Sequence, residues 1–108
     1  MPQIEDKLKQ IGYELPPPPP PGGNYVPAVR TGNLVFLAGV VSKRADGSTI
    51  VGKLGRDLTI DEGYEAARLC ALNLLSNLKK ELGDLDKIKR IVKLLAMVNS
   101  DPEFASPP

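Results

Sequence analysis

The chain has 108 residues, with 14 basic and 13 acidic side chains, one cysteine and no histidine. This length fits one domain, and the near-neutral charge argues against a nucleic-acid partner, which needs clustered Lys and Arg. A single cysteine excludes an intrachain disulfide, and the absence of histidine excludes Ser-His and Cys-His catalysis. The start of the chain is not a signal peptide, and no apolar run approaches the roughly 20 residues of a membrane helix. We therefore expect a cytoplasmic protein without a membrane partner.

The first part of the chain, residues 1–23, predicts a short helix and a spacer. One helical face of residues 3–12 carries Ile4, Leu8 and Ile11. The unbroken proline run at 16–21 cannot form a helix or a central strand and favours polyproline II. We interpret the run as a stiff spacer that lays the helix across the domain. The alternative is a ligand for an aromatic-lined, proline-binding groove.

The second part, residues 24–108, is expected to form the globular domain and to open with a hairpin. The pattern predicts strands at 25–30 and 34–41, joined at Thr31-Gly32-Asn33. The second strand is apolar nearly throughout, which indicates that both of its faces are covered. A third, short strand is predicted at 49–51.

A long helix is the clearest element of the sequence. Thr59 and Glu62 form a Thr-x-x-Glu capping box, and Gly83 suits the left-handed position that ends a helix. Between them an apolar stripe recurs at helical spacing. Its members are Ile60, Tyr64, Ala67, Ala71, Leu74, Leu75, Leu78 and Leu82. Cys70 lies within this helix and is interpreted as a packing residue.

Residues 86–99 fit a helix face about as well as a buried strand. Their β-branched content and the following Asn99-Ser100-Asp101-Pro102 favour a strand. Strand, helix and strand then form a βαβ crossover.

Several segments together resemble the RidA family, the YjgF-like reactive intermediate deaminases. The hairpin NYVPAVRTGNLVFLAG at 24–39 is similar to the opening hairpin of that family. Further similar segments are Gly52 to Thr59, Glu62 to Arg68, Asn73 to Leu75, Gly83 to Asp86 and Val98 to Ser100. The similarity runs from about residue 3 to residue 104 with matching order and spacing.

The resemblance implies an α+β fold of the chorismate-mutase-like type, a mixed sheet with helices packed on one face, assembled as a homotrimer with clefts between subunits. It implies hydrolysis of 2-imino acids or their enamines to 2-oxo acids and ammonia, with no metal or organic cofactor. Some members are described as endoribonucleases or translation inhibitors. A non-catalytic protein of the same fold, which binds small ligands or serves assembly, is the main alternative to the deaminase.

The resemblance also indicates which residues would contact the substrate. Tyr25 matches the family's aromatic wall, and Gly39 matches the position whose backbone faces the substrate. Ala38 stands where many members have a serine. The clamping arginine and the acidic residue of the family lie in later strands, beyond Pro108, so no catalytic residue is identified in this chain. Without the resemblance, Tyr25 would be read as a rim hydrophobe and Gly39 as a bulge.

Overall fold

A computed structural model describes residues 3–18, 26–44 and 46–103 of the chain. Its elements, in chain order, are helix α1 (Gln3–Gln10), strands β1 (Ala28–Thr31) and β2 (Leu34–Leu37), helix α2 (Ile60–Leu82) and a 3-10 turn (Leu85–Lys87). This confirms the predicted α+β class. No helix in the described ranges is long and apolar enough to cross a membrane.

The hairpin forms where it was predicted, with shorter strands. β1 and β2 pair antiparallel in a register that places Val29 opposite Phe36 and leaves a two-residue loop. Gly32 has φ +54° at the first central position of that loop, where a type II′ turn requires glycine. The prediction that both faces of the second strand are covered is wrong, because Leu34 and Phe36 are exposed. Because side chains alternate along a strand, both lie on the same face of the hairpin.

α2 begins and ends at the predicted signals. The Thr59 hydroxyl accepts from the Glu62 amide, and the Glu62 carboxylate accepts from the Thr59 amide, so the capping box is complete. At the other end Gly83 has φ +86°, and its amide donates to the Lys79 carbonyl at 2.6 Å. The positions of both helix ends are set by local hydrogen bonds, and the residues that form them can be recognised in the sequence.

The buried face of α2 is not the predicted apolar stripe. Ile60, Tyr64, Ala67 and Ala71 are exposed, and the stripe becomes half-buried only from Leu74 onward. The most buried side chains of the helix are Asn73, Ser76 and Asn77. The stripe prediction was wrong for the first half of α2. A hydrophobic pattern marks a helix face that can be covered, but few of the described residues pack against the first half of this face.

α1 packs against the C-terminal end of α2 and the 3-10 turn through polar contacts. The Asp86 carboxylate accepts the backbone amides of Gln3 and Ile4 at 2.6 and 2.8 Å, which caps the start of α1. Glu5 forms a 2.7 Å salt bridge with Lys79 of α2. These contacts fix α1 beside the C-terminal end of α2, although the helix ends two residues earlier than predicted.

Between the hairpin and α2 the chain forms loops rather than the predicted third strand. Thr49 makes one antiparallel backbone pair with Lys43, and no ladder follows within the described residues. Further on, Leu54 pairs in parallel with Ser100, and its side chain fills the space beside Gly63 that an added Cβ would need. The loop therefore joins the start of α2 to the end of the described chain.

The predicted strand at 86–99 is not formed. Residues 85–87 form the 3-10 turn, and 88–98 have no regular secondary structure. The segment nevertheless follows the predicted crossover path, since it starts at the buried Leu85 near the end of α2 and returns to Leu54 near its start.

The sheet seen in the described residues is accordingly a two-stranded antiparallel hairpin and not the predicted mixed sheet. Parallel pairing is limited to the isolated contacts that Leu54 makes with Leu58 and Ser100. The physical reason is that residues 88–98 make no hydrogen bonds to the edge of β2.

Candidate functional site

Two of the three predicted site residues, Ala38 and Gly39, lie where β2 ends. The ladder closes with a 2.9 Å bond from the Ala38 amide to the Pro27 carbonyl, and Gly39 follows as an exposed residue. A Cβ added at Gly39 would meet no atom within 4 Å, and its φ lies outside the left-handed region. Gly39 is thus not required by backbone conformation, and what it provides is bare backbone beside open space.

The third predicted site residue is Tyr25. Tyr25 lies outside the described residues, which resume at Val26. Ala38 is half-buried and carries no hydroxyl that could bind a ligand, as the sequence already indicated. Of the three predicted residues, the structure therefore places Ala38 and Gly39 together at the strand end.

Polar side chains of α2 hold the segment that follows Gly39. The Asn73 amide nitrogen donates to the carbonyls of Val41 at 3.2 Å and Lys43 at 2.9 Å. Ser42 reinforces the same segment, since its hydroxyl donates to the Ile50 carbonyl at 2.8 Å. The strand end is thereby fixed on one side and left open at Gly39.

Asn77 lies on the same face of α2 as Asn73 and differs from it in its hydrogen bonding. It lies one helical turn after Asn73, it is 5% exposed, and its Oδ1 has no hydrogen-bond partner among the described residues. Sequence reasoning missed both residues because it read α2 for its apolar stripe. Polar residues at spacings of three and four, as in Asn73, Ser76 and Asn77, were the available signal for a polar stripe on one helix face.

Three arginines that could serve as an anion clamp are already engaged. Arg30 donates to the Glu81 carbonyl at 3.3 Å. Arg56 hydrogen-bonds Asp57 and thereby holds the pKa of that carboxyl below its usual range. The three arginines lie on different elements: β1, the loop before α2, and α2.

The third, Arg68, is held by aromatic and acidic neighbours. Its guanidinium carbon is 4.7 Å from the ring centroid of Tyr13 and 5.0 Å from that of Tyr64, and it forms a 2.6 Å salt bridge with Glu65. These cation–π contacts tie the N-terminal segment to α2. The Arg68 guanidinium is therefore engaged by side chains of α2 and of the N-terminal segment.

Other candidate centres are weak. Burial raises the pKa of the Cys70 thiol, which disfavours the nucleophilic thiolate. No group of metal-ligating side chains gathers within the described ranges. Two shallow depressions, one of about 600 Å³ beside Pro16–Pro18 and one of about 400 Å³ beside the first turn of α2, lie away from Gly39.

Comparison with known proteins agrees with this domain. A family model described as YjgF/chorismate-mutase-like, putative endoribonuclease, matches residues 5–105. Protein TCP17 of Trypanosoma cruzi is 41% identical over 102 residues, which are 94% of this chain and 64% of that protein.

Two solved structures are similar. The protein Atu1372 of unknown function from Agrobacterium tumefaciens aligns with a TM-score of 0.82 and 41% identity, over 94% of this chain and 63% of its own. A putative endoribonuclease from Shewanella oneidensis MR-1 aligns with a TM-score of 0.75 and 38% identity, over 81% of this chain and 58% of its own.

The hairpin packed on a long capped helix, with an open glycine at the strand end, defines a small α+β domain of the chorismate-mutase-like class. The chain belongs to the YjgF/chorismate-mutase-like family. It spans less than two thirds of the length of each of these three relatives.

Proposed function

We propose that this domain serves the hydrolysis of reactive 2-imino acids or enamines to 2-oxo acids and ammonia, in a protein that also carries the family's later strands. The observation that supports the proposal is the open backbone at Gly39, the residue that the resemblance to the family assigns to the substrate-facing position. A planar imine can approach bare backbone there without a side chain in its path.

The chemistry needs three further groups. The substrate carboxylate requires a cationic clamp, best supplied by a bidentate arginine. A wall must shape the cleft, which is the role proposed for Tyr25. A carboxylate or carbonyl must hold the water that attacks the C=N carbon. Since Arg30, Arg56 and Arg68 are paired elsewhere, the clamp is expected from the later strands.

The cleft of this proposal lies between subunits, so we also propose a homotrimer. The apolar, exposed face of the hairpin with Val29, Leu34 and Phe36 is suitable for burial in such an assembly. Sedimentation at micromolar concentration measures it directly, and a well-folded monomer at that concentration contradicts the assembly.

The activity test uses 2-iminobutanoate, made in situ from threonine by a dehydratase. The 108-residue chain is expected not to accelerate the release of ammonia, whereas a longer form with the later strands does so. Each lost charge-assisted hydrogen bond of the clamp is worth roughly 1.5–3 kcal/mol, or one to two orders of magnitude in rate. Robust turnover by the short chain would show that one of its own arginines provides the clamp.

A matched pair of variants connects activity with the site. In the longer form, Gly39→Val places a branched side chain in the open space and should lower the rate without lowering the melting temperature, because the added Cβ meets nothing within 4 Å. Ala67→Leu, at an exposed position of α2, also adds three carbon atoms and should leave the rate unchanged. Equal rates for Gly39→Val and the parent would remove Gly39 from the site.

The endoribonuclease role named for the family is the second candidate. It rests on the family description and on the name of the Shewanella protein. The balanced charge of the chain argues against it, since single-stranded RNA sites combine a basic groove with stacked aromatics. Cleavage of a labelled RNA by the longer form, abolished together with imine hydrolysis in Gly39→Val, would favour this role.

A further inference from the structure

A tight turn, defined here as residues 41–43, closely follows the open backbone at Gly39. The Lys43 amide donates to the Val41 carbonyl at 2.8 Å, and a bond between residues two positions apart closes a γ-turn. The chain therefore changes direction two residues after Gly39. The conformation of this turn determines the direction in which the backbone leaves Gly39.

The other side of Gly39 is fixed by the hairpin. The Ala38 amide donates to the Pro27 carbonyl at 2.9 Å, which closes the ladder. Between that bond and the turn only Gly39 and Val40 remain, and neither makes a backbone hydrogen bond with any other described residue. A span of two residues without hydrogen bonds of its own takes its position from its two ends.

One side chain of α2 holds both ends of the turn. Nδ2 of Asn73 donates to the Val41 carbonyl at 3.2 Å and to the Lys43 carbonyl at 2.9 Å, so both hydrogens of this amide are used. Two carbonyl oxygens are thereby directed at one nitrogen, and their partial negative charges repel each other when no donor lies between them. Asn73 is 2% exposed, so solvent has little access to replace the donor.

We propose that Asn73 is a positioning residue for imine hydrolysis, an inference that rests on the proposed function. Asn73 fixes the turn, and the turn fixes the open backbone at Gly39 relative to the substrate. It acts through the backbone and does not touch the substrate, because its amide hydrogens are both bound to carbonyls of the turn. Since the carboxylate clamp is assigned to the later strands, the loss of Asn73 should affect the chemical step more than substrate binding.

The kinetic test uses the longer form that carries the later strands, with 2-iminobutanoate as substrate. Asn73→Leu removes both bonds with little change in size. It should lower kcat about ten- to a hundredfold with little change in KM, because a misplacement of about 1 Å at the reacting centre can cost about a hundredfold in rate. An unchanged kcat in a variant that circular dichroism shows to be folded would overturn the inference.

A matched control separates position from stability. Ser76 lies on the same buried face of α2, is 4% exposed, and donates from its hydroxyl to the Pro16 carbonyl at 2.6 Å. Ser76→Ala therefore also removes a buried hydrogen bond, but one to a different segment of the chain, and it should leave kcat and KM unchanged. If it lowers kcat as much as Asn73→Leu does, the loss reflects the stability of this helix face, and the inference is wrong.

Ser42→Ala makes a milder change at the same turn and keeps the test decisive if Asn73→Leu does not fold. The Ser42 hydroxyl donates to the Ile50 carbonyl at 2.8 Å, so the substitution removes one bond that braces the turn. It should lower kcat about two- to tenfold, the equivalent of one net hydrogen bond. In that case a kcat equal to that of the parent would overturn the inference.

Nuclear magnetic resonance relaxation on the 108-residue chain measures the positioning without any activity. The order parameters of the Gly39 and Val40 amides should fall in Asn73→Leu, toward the value of about 0.6 that marks a flexible backbone, and should not change in Ser76→Ala. A longer form without imine hydrolysis in its parent sequence would refute the proposed function, and the order parameters would still decide whether Asn73 holds Gly39. Equal order parameters in Asn73→Leu and the parent would overturn the inference in either case.

Discussion

The buried amides of α2 give the sharpest test of how the strand end is held. Asn73 and Asn77 lie on the same face of one helix, one turn apart, and are 2% and 5% exposed. Asn73 donates to two backbone carbonyls, whereas Oδ1 of Asn77 has no hydrogen-bond partner in the part of the chain that the structure describes. Replacing each with leucine, which is similar in size but cannot form hydrogen bonds, should therefore have opposite consequences.

The magnitudes follow from the hydrogen bonds. Asn73→Leu removes two bonds and leaves the Lys43 carbonyl without this donor, whereas the Val41 carbonyl still accepts from the Lys43 amide. Each bond contributes a net 0.5–1.5 kcal/mol, and a carbonyl that stays buried without a partner costs about 1–3 kcal/mol. Val41 is exposed, so water can serve its carbonyl in part. We expect the free energy of unfolding to fall by about 1–3 kcal/mol.

Asn77→Leu removes an unpaired buried oxygen and adds apolar contact. The expected change in the free energy of unfolding is between zero and a gain of about 1 kcal/mol. Urea denaturation followed by circular dichroism measures both variants. The melting temperature should fall by about 5–15 °C for Asn73→Leu and should stay within a few degrees of the parent for Asn77→Leu.

Equal destabilisation by the two substitutions would refute the reasoning. It would mean that burial of a polar helix face, and not the specific bonds to the segment after Gly39, determines the cost. Hydrogen exchange at the amide of Lys43 provides a local check, because only Asn73→Leu should accelerate it. That amide donates to the Val41 carbonyl at 2.8 Å.

Three further outcomes are expected. The Gln3 and Ile4 amides lower the pKa of Asp86, so the stabilising contact with α1 is present above the ordinary pKa of about 3.9 and is lost as the pH falls through the lowered value. Hydrogen exchange in α1 should therefore accelerate as the pH is lowered from 6 to 2.5. The Asp86→Asn variant should show fast exchange over this whole range. Thr59→Ala should lower the free energy of unfolding in urea by about 1 kcal/mol, since it removes the cap of α2. Cys70 should react with a disulfide reagent at pH 7.5 more slowly than a small free thiol, because burial raises its pKa; reaction at the free-thiol rate would contradict this.

The elements with local signals were predictable from the sequence. The capping box at Thr59 and the glycine at 83 specify the ends of α2 through bonds to residues three or four positions away. Gly32 likewise fixes the hairpin turn. In each case the residues that determine the local structure lie within about four positions of each other in the sequence.

Features that depend on distant partners were not predictable. The apolar, β-branched residues 91–98 have the propensity of a strand, but a strand also needs a hydrogen-bonding neighbour, and none of the described residues provides one. The burial of the polar Asn73 is explained only by the tertiary structure, which places the carbonyls of Val41 and Lys43 beside it. Sequence patterns report what a segment can bury, and the tertiary structure decides what is buried.

The cap that Asp86 places on α1 has a consequence for the order of folding. The bonded residues are 83 and 82 positions apart in the chain, so the start of α1 is completed by almost the last described element. Contacts of such long range form late because the loop between them must close first. A helix of eight residues is too short to be stable alone in water. During synthesis from the N-terminus, α1 therefore cannot form a stable helix until the 3-10 turn has been synthesised. We infer that α1 is the first element to be translated and among the last to become helical.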